Sequence, residues 1–152
     1  MSADAIDLVL LKALQDDGQA NNKDLAALAG LSPSATLERV RRLFREGYIQ
    51  RVTAILQPTR LDLGLLAFVF VDIAHVRSRE KVIAVLEEIP HVIEIHTVTG
   101  ESFFLLKIRS SGTMQLNDIV TRIASLPGVR GTRTLIALET FKETHELPIA
   151  GR

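Results

Sequence analysis

The chain has 152 residues, 18 Lys and Arg against 18 Asp and Glu, 47% hydrophobic residues and neither Cys nor Trp. That length suits one large domain or two small ones, and the lack of cysteine excludes a disulfide framework, a thiolate nucleophile and a sulfur-built zinc site. The longest apolar run, Leu63 to Val71 with Gly64 inside it, is far shorter than the roughly 20 residues that span a bilayer, and Met1-Ser2-Ala3-Asp4 lacks a signal-peptide pattern, so no membrane partner and a cytoplasmic setting are expected.

The formal charge of zero is an average over unequal segments. Residues 1–30 carry two basic and five acidic side chains, for a net −3, whereas residues 31–60 carry six Arg against Glu38 and Glu46, for a net +4. The remaining residues carry ten basic and eleven acidic side chains, for a net −1. Arginine is suited to bidentate contact with phosphates and guanine edges, which makes residues 31–60 the first functional candidate.

From Asp4 to Asp16, Ile6, Val9, Leu10, Ala13 and Leu14 recur at helical spacing, with Asp4 and Asp7 near the positive end of the helix dipole and Gly18 as a stop. A second short helix opens at Asn21 or Asn22, either of which can cap it, and runs to Gly30. Ser32 as cap and Pro33 at the first helical position then open a third helix, which ends at Gly47. A helix, a tight turn containing Gly and a second helix make the helix-turn-helix pattern, whose second helix enters the major groove.

On a helical wheel the third helix divides. Pro33, Leu37, Val40, Leu43 and Phe44 lie on one arc, expected to pack; Ser34, Ala35, Glu38, Arg39, Arg42 and Arg45 lie on the other. An Arg-rich face suits a plain solvated helix as well as DNA, and the capped turn and the short helix before it tip the balance to DNA. Ser34, Ala35, Arg39 and Arg42 are then expected nearest the base edges. Arg41, Arg45, Arg51 and the helix N-termini at Asn22 and Ser32 are expected to hold phosphates. Arg41 lies at the edge of the apolar arc and fits an ion pair with Glu38 or Glu46 equally well.

After Gly47 the period changes. Tyr48 to Gln57 reads as a strand closed by Pro58 and serves as a linker. A strand over Leu65–Ile73, a helix over about Ser78–Ile89 stopped by Pro90, and a strand over Val92–Thr99 follow. Gly100 then turns the chain into a strand over Phe103–Arg109, followed by a helix over about Thr113–Leu126 ended by Pro127-Gly128, and a last strand over Thr132–Phe141. The order βαββαβ is the ferredoxin-like arrangement, with both helices on one face of an antiparallel sheet. The uncovered face calls for a partner, with Phe68, Phe70, Phe103, Leu105 and Ile108 as its apolar surface. The four His are scattered and lack the convergence a metal needs; His91 and His96 are expected on opposite faces of one strand.

Several strings together resemble the Lrp/AsnC family of feast/famine transcriptional regulators: Asn22-Lys23-Asp24-Leu25-Ala26, Gly30-Leu31-Ser32-Pro33-Ser34, Leu37-Glu38-Arg39-Val40-Arg41-Arg42-Leu43 and Gly47-Tyr48-Ile49. Val98-Thr99-Gly100, Leu105-Leu106-Lys107, Leu126-Pro127-Gly128-Val129 and Thr132-Arg133-Thr134 extend the resemblance over nearly the whole chain. It implies an α+β protein with an N-terminal helix-turn-helix, winged-helix-like domain over residues 1–47 (motif about 22–41), a linker strand over 48–60, a ferredoxin-like ligand-sensing and oligomerisation domain over 61–142 and a loosely held tail over 143–152. It also implies a homodimer on double-stranded DNA, with linker strands paired between subunits, that assembles further to a tetramer or octamer. No cofactor is implied; an amino acid is the expected effector.

In the family, the turn after the Val-Thr-Gly string alternates acidic and aromatic residues, and an acid there helps bind the effector's ammonium. Glu101 keeps the first acid, but Ser102 stands for an aromatic and Phe103 for the second acid. Gly100, Glu101 and Ser102, with Thr132 and Thr134 of a neighbouring chain, are the candidate effector residues; an exposed turn and two strand-forming Thr are the plain alternative. Two further functions fit the fold: an architectural DNA-compacting protein without effector, and an enzyme resembling haem-pathway decarboxylases. The Arg-rich third helix argues against the enzyme.

Overall fold

Helix α1 (Ala5–Asp16) begins at a capping box in which the Asp7 N–H donates to the Asp4 carboxylate at 2.9 Å and the Asp4 N–H donates to that of Asp7 at 3.1 Å. The structure, a computed structural model, describes residues 3–100 and 103–149. Asn21, rather than Asn22, caps α2 (Asn22–Ala29), accepting from the N–H groups of Lys23 and Asp24; Gly30, left-handed at φ 65°, closes it. Ser32 caps α3 (Pro33–Arg45) with Pro33 in the first turn, as the sequence predicts. Leu10, Leu25 and Leu43 are nearly fully buried where the three helices meet, and each such side chain contributes roughly 1.5–3 kcal/mol.

The segment 48–57 lies outside any ladder among the described residues, and residues Pro58–Leu61 form a single 3-10 turn. The expected strand from Tyr48 to Gln57 therefore does not form within one chain, because a strand needs a neighbour to receive its N–H and C=O groups. It still touches the helical unit: a Cβ built on Gly18 would come within 2.8 Å of Val52 Cγ1.

The second unit, Leu56–Phe141, holds β1 (Leu65–Ile73), α4 (Arg79–Glu87), β2 (Val92–Thr97), β3 (Phe104–Ser110), α5 (Thr113–Ala124) and β4 (Val129–Ile136). The sheet order is β2-β3-β1-β4 with every pair antiparallel, which is the ferredoxin-like βαββαβ topology. Ala67, Val69 and Val71 of β1 and Phe104, Leu106 and Ile108 of β3 pack against Val82 and Leu86 of α4 and Leu116, Ile119 and Ile123 of α5. Ile108, expected on the uncovered face, is thus a fully buried core residue, since its register partner Ala67 points toward the helices.

Strand β4 begins three residues before the expected Thr132 and stops well short of Phe141. Its partner β1 begins at Leu65, so the last ladder bond is Ala137 N–H to Leu66 O at 2.9 Å, and beyond it Leu138 and Phe141 are 98% and 90% exposed. Residues 142–149 group with the helical unit, and Gln15 grips Leu147 through two 2.9 Å bonds, its amide N–H donating to the backbone carbonyl and its carbonyl accepting the backbone N–H.

Candidate nucleic-acid interface and effector turn

The buried stripe of α3 is turned from the one read on the wheel. Thr36 is fully buried, its hydroxyl donating to the Ser32 carbonyl at 3.0 Å, and Leu43 is buried beneath it, whereas Leu37 and Phe44 are 39% and 40% exposed. The cause is electrostatic as well as apolar. Asp7 is 2% exposed and needs partners, and α3 supplies them: Arg39 Nη1 donates to Asp7 Oδ1 at 2.9 Å and to Asp4 Oδ2 at 2.7 Å, while Arg42 Nη2 donates to Asp7 Oδ2 at 2.5 Å. The hydrogen bond from Arg39, then that from the Asp7 N–H, holds the Asp4 carboxyl below its ordinary range. Asp4 and Asp7 in turn make Arg39 harder to deprotonate.

Arg39 and Arg42, expected nearest the bases, sit against the first turn of α1 and direct guanidinium N–H groups to Asp4 and Asp7. The −3 of residues 1–30 facing the +4 of residues 31–60 was the sequence signal for this lock. Arg41 pairs with Glu38 at 2.9 Å with both side chains well exposed, the alternative left open on the wheel. Exposed pairs of this kind contribute little and exchange readily for another partner. Ser34, Ala35 and Arg45 are exposed on α3, and Arg51 is exposed on the segment that follows. Asn22 spends its side chain on the Pro33 carbonyl at 2.7 Å, tying the start of α2 to the start of α3.

At the other unit, the β2–β3 turn carries Gly100 with φ 113°; Glu101 and Ser102 lie outside the described residues. The turn is pinned where the Phe103 N–H donates to the Val71 carbonyl at 3.1 Å, and Val71 pairs on its other side with Thr132. Gly100 and Thr132 are thus brought to the same end of the sheet, with Thr134 one pleat further away. Both Thr are half-buried on the helix-covered side, because their partners Val71 and Val69 are core residues.

On the opposite side of the sheet, Phe68, Phe70, Leu105 and Leu135 lie together, with the Arg133 guanidinium 4.2 Å over the Phe70 ring. Lys107 donates to Glu94 at 2.9 Å on this face, and His96 lies 3.1 Å from the same carboxylate. Burial alone would raise Glu94, but these two partners outweigh it and keep its carboxyl below the ordinary value. His91 precedes β2 rather than lying on it, with Nδ1 2.9 Å from the Arg109 carbonyl and Nε2 3.2 Å from the Gln115 amide.

The two units match two known domains. Residues 4–43 match the AsnC-type helix-turn-helix domain, and residues 66–147 match the Lrp/AsnC ligand binding domain. The chain belongs to the Lrp/AsnC family. It is 39% identical to the HTH-type transcriptional regulator FL11 of Pyrococcus horikoshii, over 96% of both chains. A transcriptional regulator of Neisseria meningitidis in complex with L-methionine superposes with a TM-score of 0.91 at 30% identity, over 97% of both chains. The feast or famine regulatory protein of M. tuberculosis complexed with L-methionine has a TM-score of 0.90 at 35% identity, covering 98% of this chain and all of that one.

As a member of the Lrp/AsnC family, the chain is a DNA-binding transcriptional regulator with an effector-binding domain, and its relatives are named as regulators, which sets aside the decarboxylase alternative. Among the described residues no helix is long and apolar enough to cross a membrane. Asp4 and Asp7 are the residues that sequence reasoning read too weakly. Besides the charge gradient, their i, i+3 spacing before an apolar helix was the available sign.

Proposed function

We propose that this regulator works in the cytoplasm and docks α3 in the major groove through Ser34, Ala35, Glu38, Arg41 and Arg45, with Arg39 and Arg42, on the flank beside Ala35, holding the helix at the required angle. The observation that supports this reading is the lock of Arg39 and Arg42 onto Asp4 and Asp7, which leaves the adjoining flank of α3, with Ser34, Glu38, Arg41 and Arg45, exposed. Arg51 and the backbone N–H groups at the starts of α2 and α3, near Asn22 and Ser32, hold phosphates. On a duplex selected in vitro by the wild-type chain from a random pool, Arg41→Ala and Arg45→Ala should each weaken binding about tenfold, whereas Arg51→Ala should weaken all duplexes alike and reduce the salt slope by about one. Unchanged anisotropy titrations for both Arg41→Ala and Arg45→Ala would refute this docking.

Assembly follows from the surfaces left open. The Phe68, Phe70, Leu105 and Leu135 face suits a second copy, and residues 48–57, with Val52 and Ile55 exposed, suit pairing with the same segment of that copy. A dimer places two α3 helices on a two-fold related site, and further pairing gives a tetramer or octamer. An amino acid is the effector, held by the Gly100 turn with Glu101 and Ser102 on one chain and by Thr132 and Thr134 on another. The support is the L-methionine bound in two similar regulators. Titration calorimetry against the amino acids, L-methionine first, tests it; absence of heat from every one of them would remove the sensor role.

A further inference from the structure

Leu37 and Phe44 are the large apolar residues that α3 leaves exposed, and of the two Leu37 lies nearer the start of the helix, beside Ser34. Leu10, Leu25 and Leu43 form the buried centre of this unit, whereas Leu37 is 39% exposed in the second turn of the helix. Its helical neighbours at i−3 and i+4 are Ser34 and Arg41, both exposed, so it stands between two side chains of the recognition surface. The Arg39 and Arg42 lock sets this outcome, since turning those arginines toward α1 carries Leu37 outward.

We infer that Leu37 reads the 5-methyl group of a thymine in the major groove; this rests on the α3 docking proposed above. Of the four base edges in that groove, only thymine presents an apolar group; the others present donors and acceptors, which a leucine would strip of water without replacing the hydrogen bonds. Leu37 therefore works by selection. It gains a buried methyl contact over thymine and penalises cytosine, adenine and guanine at the same step. Beside it, the Glu38–Arg41 pair offers an acceptor and a donor for polar edges. The half-site then combines one methyl-dependent position with neighbours read by hydrogen bonds.

Replacing thymine by deoxyuridine deletes the methyl and leaves every hydrogen bond in place, so it isolates this contact. In the selected duplex, each thymine pair related by the two-fold axis is exchanged in turn for deoxyuridine, and binding by the full chain is measured by fluorescence anisotropy. Wild type should lose about fourfold in affinity per half-site at one position, the value of one buried methyl. Leu37→Gln, which keeps helix propensity, should bind the thymine and deoxyuridine duplexes equally, while Arg41→Ala should bind both more weakly and keep their ratio. The assignment is overturned if wild type is indifferent to deoxyuridine at every position, or if Leu37→Gln keeps the wild-type ratio. Failure of the docking itself looks different, because there Arg41→Ala and Arg45→Ala leave binding unchanged.

Discussion

Asp7 shows how one side chain sets the geometry of a recognition surface. Its carboxylate is almost fully buried and accepts from the Asp4 N–H, Arg39 and Arg42. Substituting Asp7→Ala removes all three bonds and leaves Arg42, whose Nε is already buried without a partner among the described residues, with no ion pair there. A loss of about 2–4 kcal/mol in urea unfolding is expected, together with weaker binding to every duplex because α3 loses its seat. Asp4 adds a pH dependence. Its folded pKa lies below the ordinary 3.8, so its contribution is present above that value and is lost as pH falls through the lower, folded value. Melting temperature should therefore drop more steeply on acidification below about pH 4 in wild type than in Asp4→Asn. Equal slopes would mean that the Arg39 contact carries no weight in the folded state.

At the scale of elements, local rules placed most helices and strands closely, β1 without any shift, because hydrophobic period, caps and Gly or Pro stops act within a few residues. The misses have long-range causes. Strand β4 ends where β1 has no residues left to pair, and residues 48–57 form no ladder because no strand of the same chain among the described residues lies beside them. The turn before β4 shows a tight approach that no local pattern announces. Gly128 has φ 96°, and a Cβ there would lie 2.7 Å from Ser78 Cβ. Gly128→Ala should then cost about 1–3 kcal/mol in thermal or urea unfolding, from backbone strain and displacement of Ser78 together. A variant with the stability of wild type would show that the α5–β4 turn shifts freely.

At the scale of the whole molecule, the uncovered sheet face is the feature that a single chain leaves unfinished. Phe68 sits at its centre, paired with Lys107 on one side and Leu135 on the other. Phe68→Glu places a charge in the middle of that face, so light scattering should report a smaller assembly than wild type at equal concentration, and DNA affinity should fall because two half-sites are no longer read together. Retention of the wild-type mass would move the interface elsewhere. The near-neutral charge of residues 61–152 suits this surface, since strong like charge would oppose packing copies of the domain together.

The sequence by itself determined the two-domain plan, the helix-turn-helix, the βαββαβ order and the arginine-rich character of residues 31–60, since each follows from short-range spacing and composition. It placed Ser34, Ala35 and Arg45 on the exposed side of α3, but did not show that Arg39 and Arg42 beside them pair with Asp4 and Asp7, and it counted Leu37 with the packed arc. Tertiary structure decided the rotation of α3. A helix wheel sees only that helix, whereas the buried carboxylate that draws Arg39 and Arg42 inward stands on α1, more than thirty residues earlier. It also decided that the tail returns to α1 through Gln15, a contact across 132 residues of sequence. Which side of a helix is inside is a property of its neighbours, and on α3 the buried charge of Asp7 acts together with the apolar packing of Leu43.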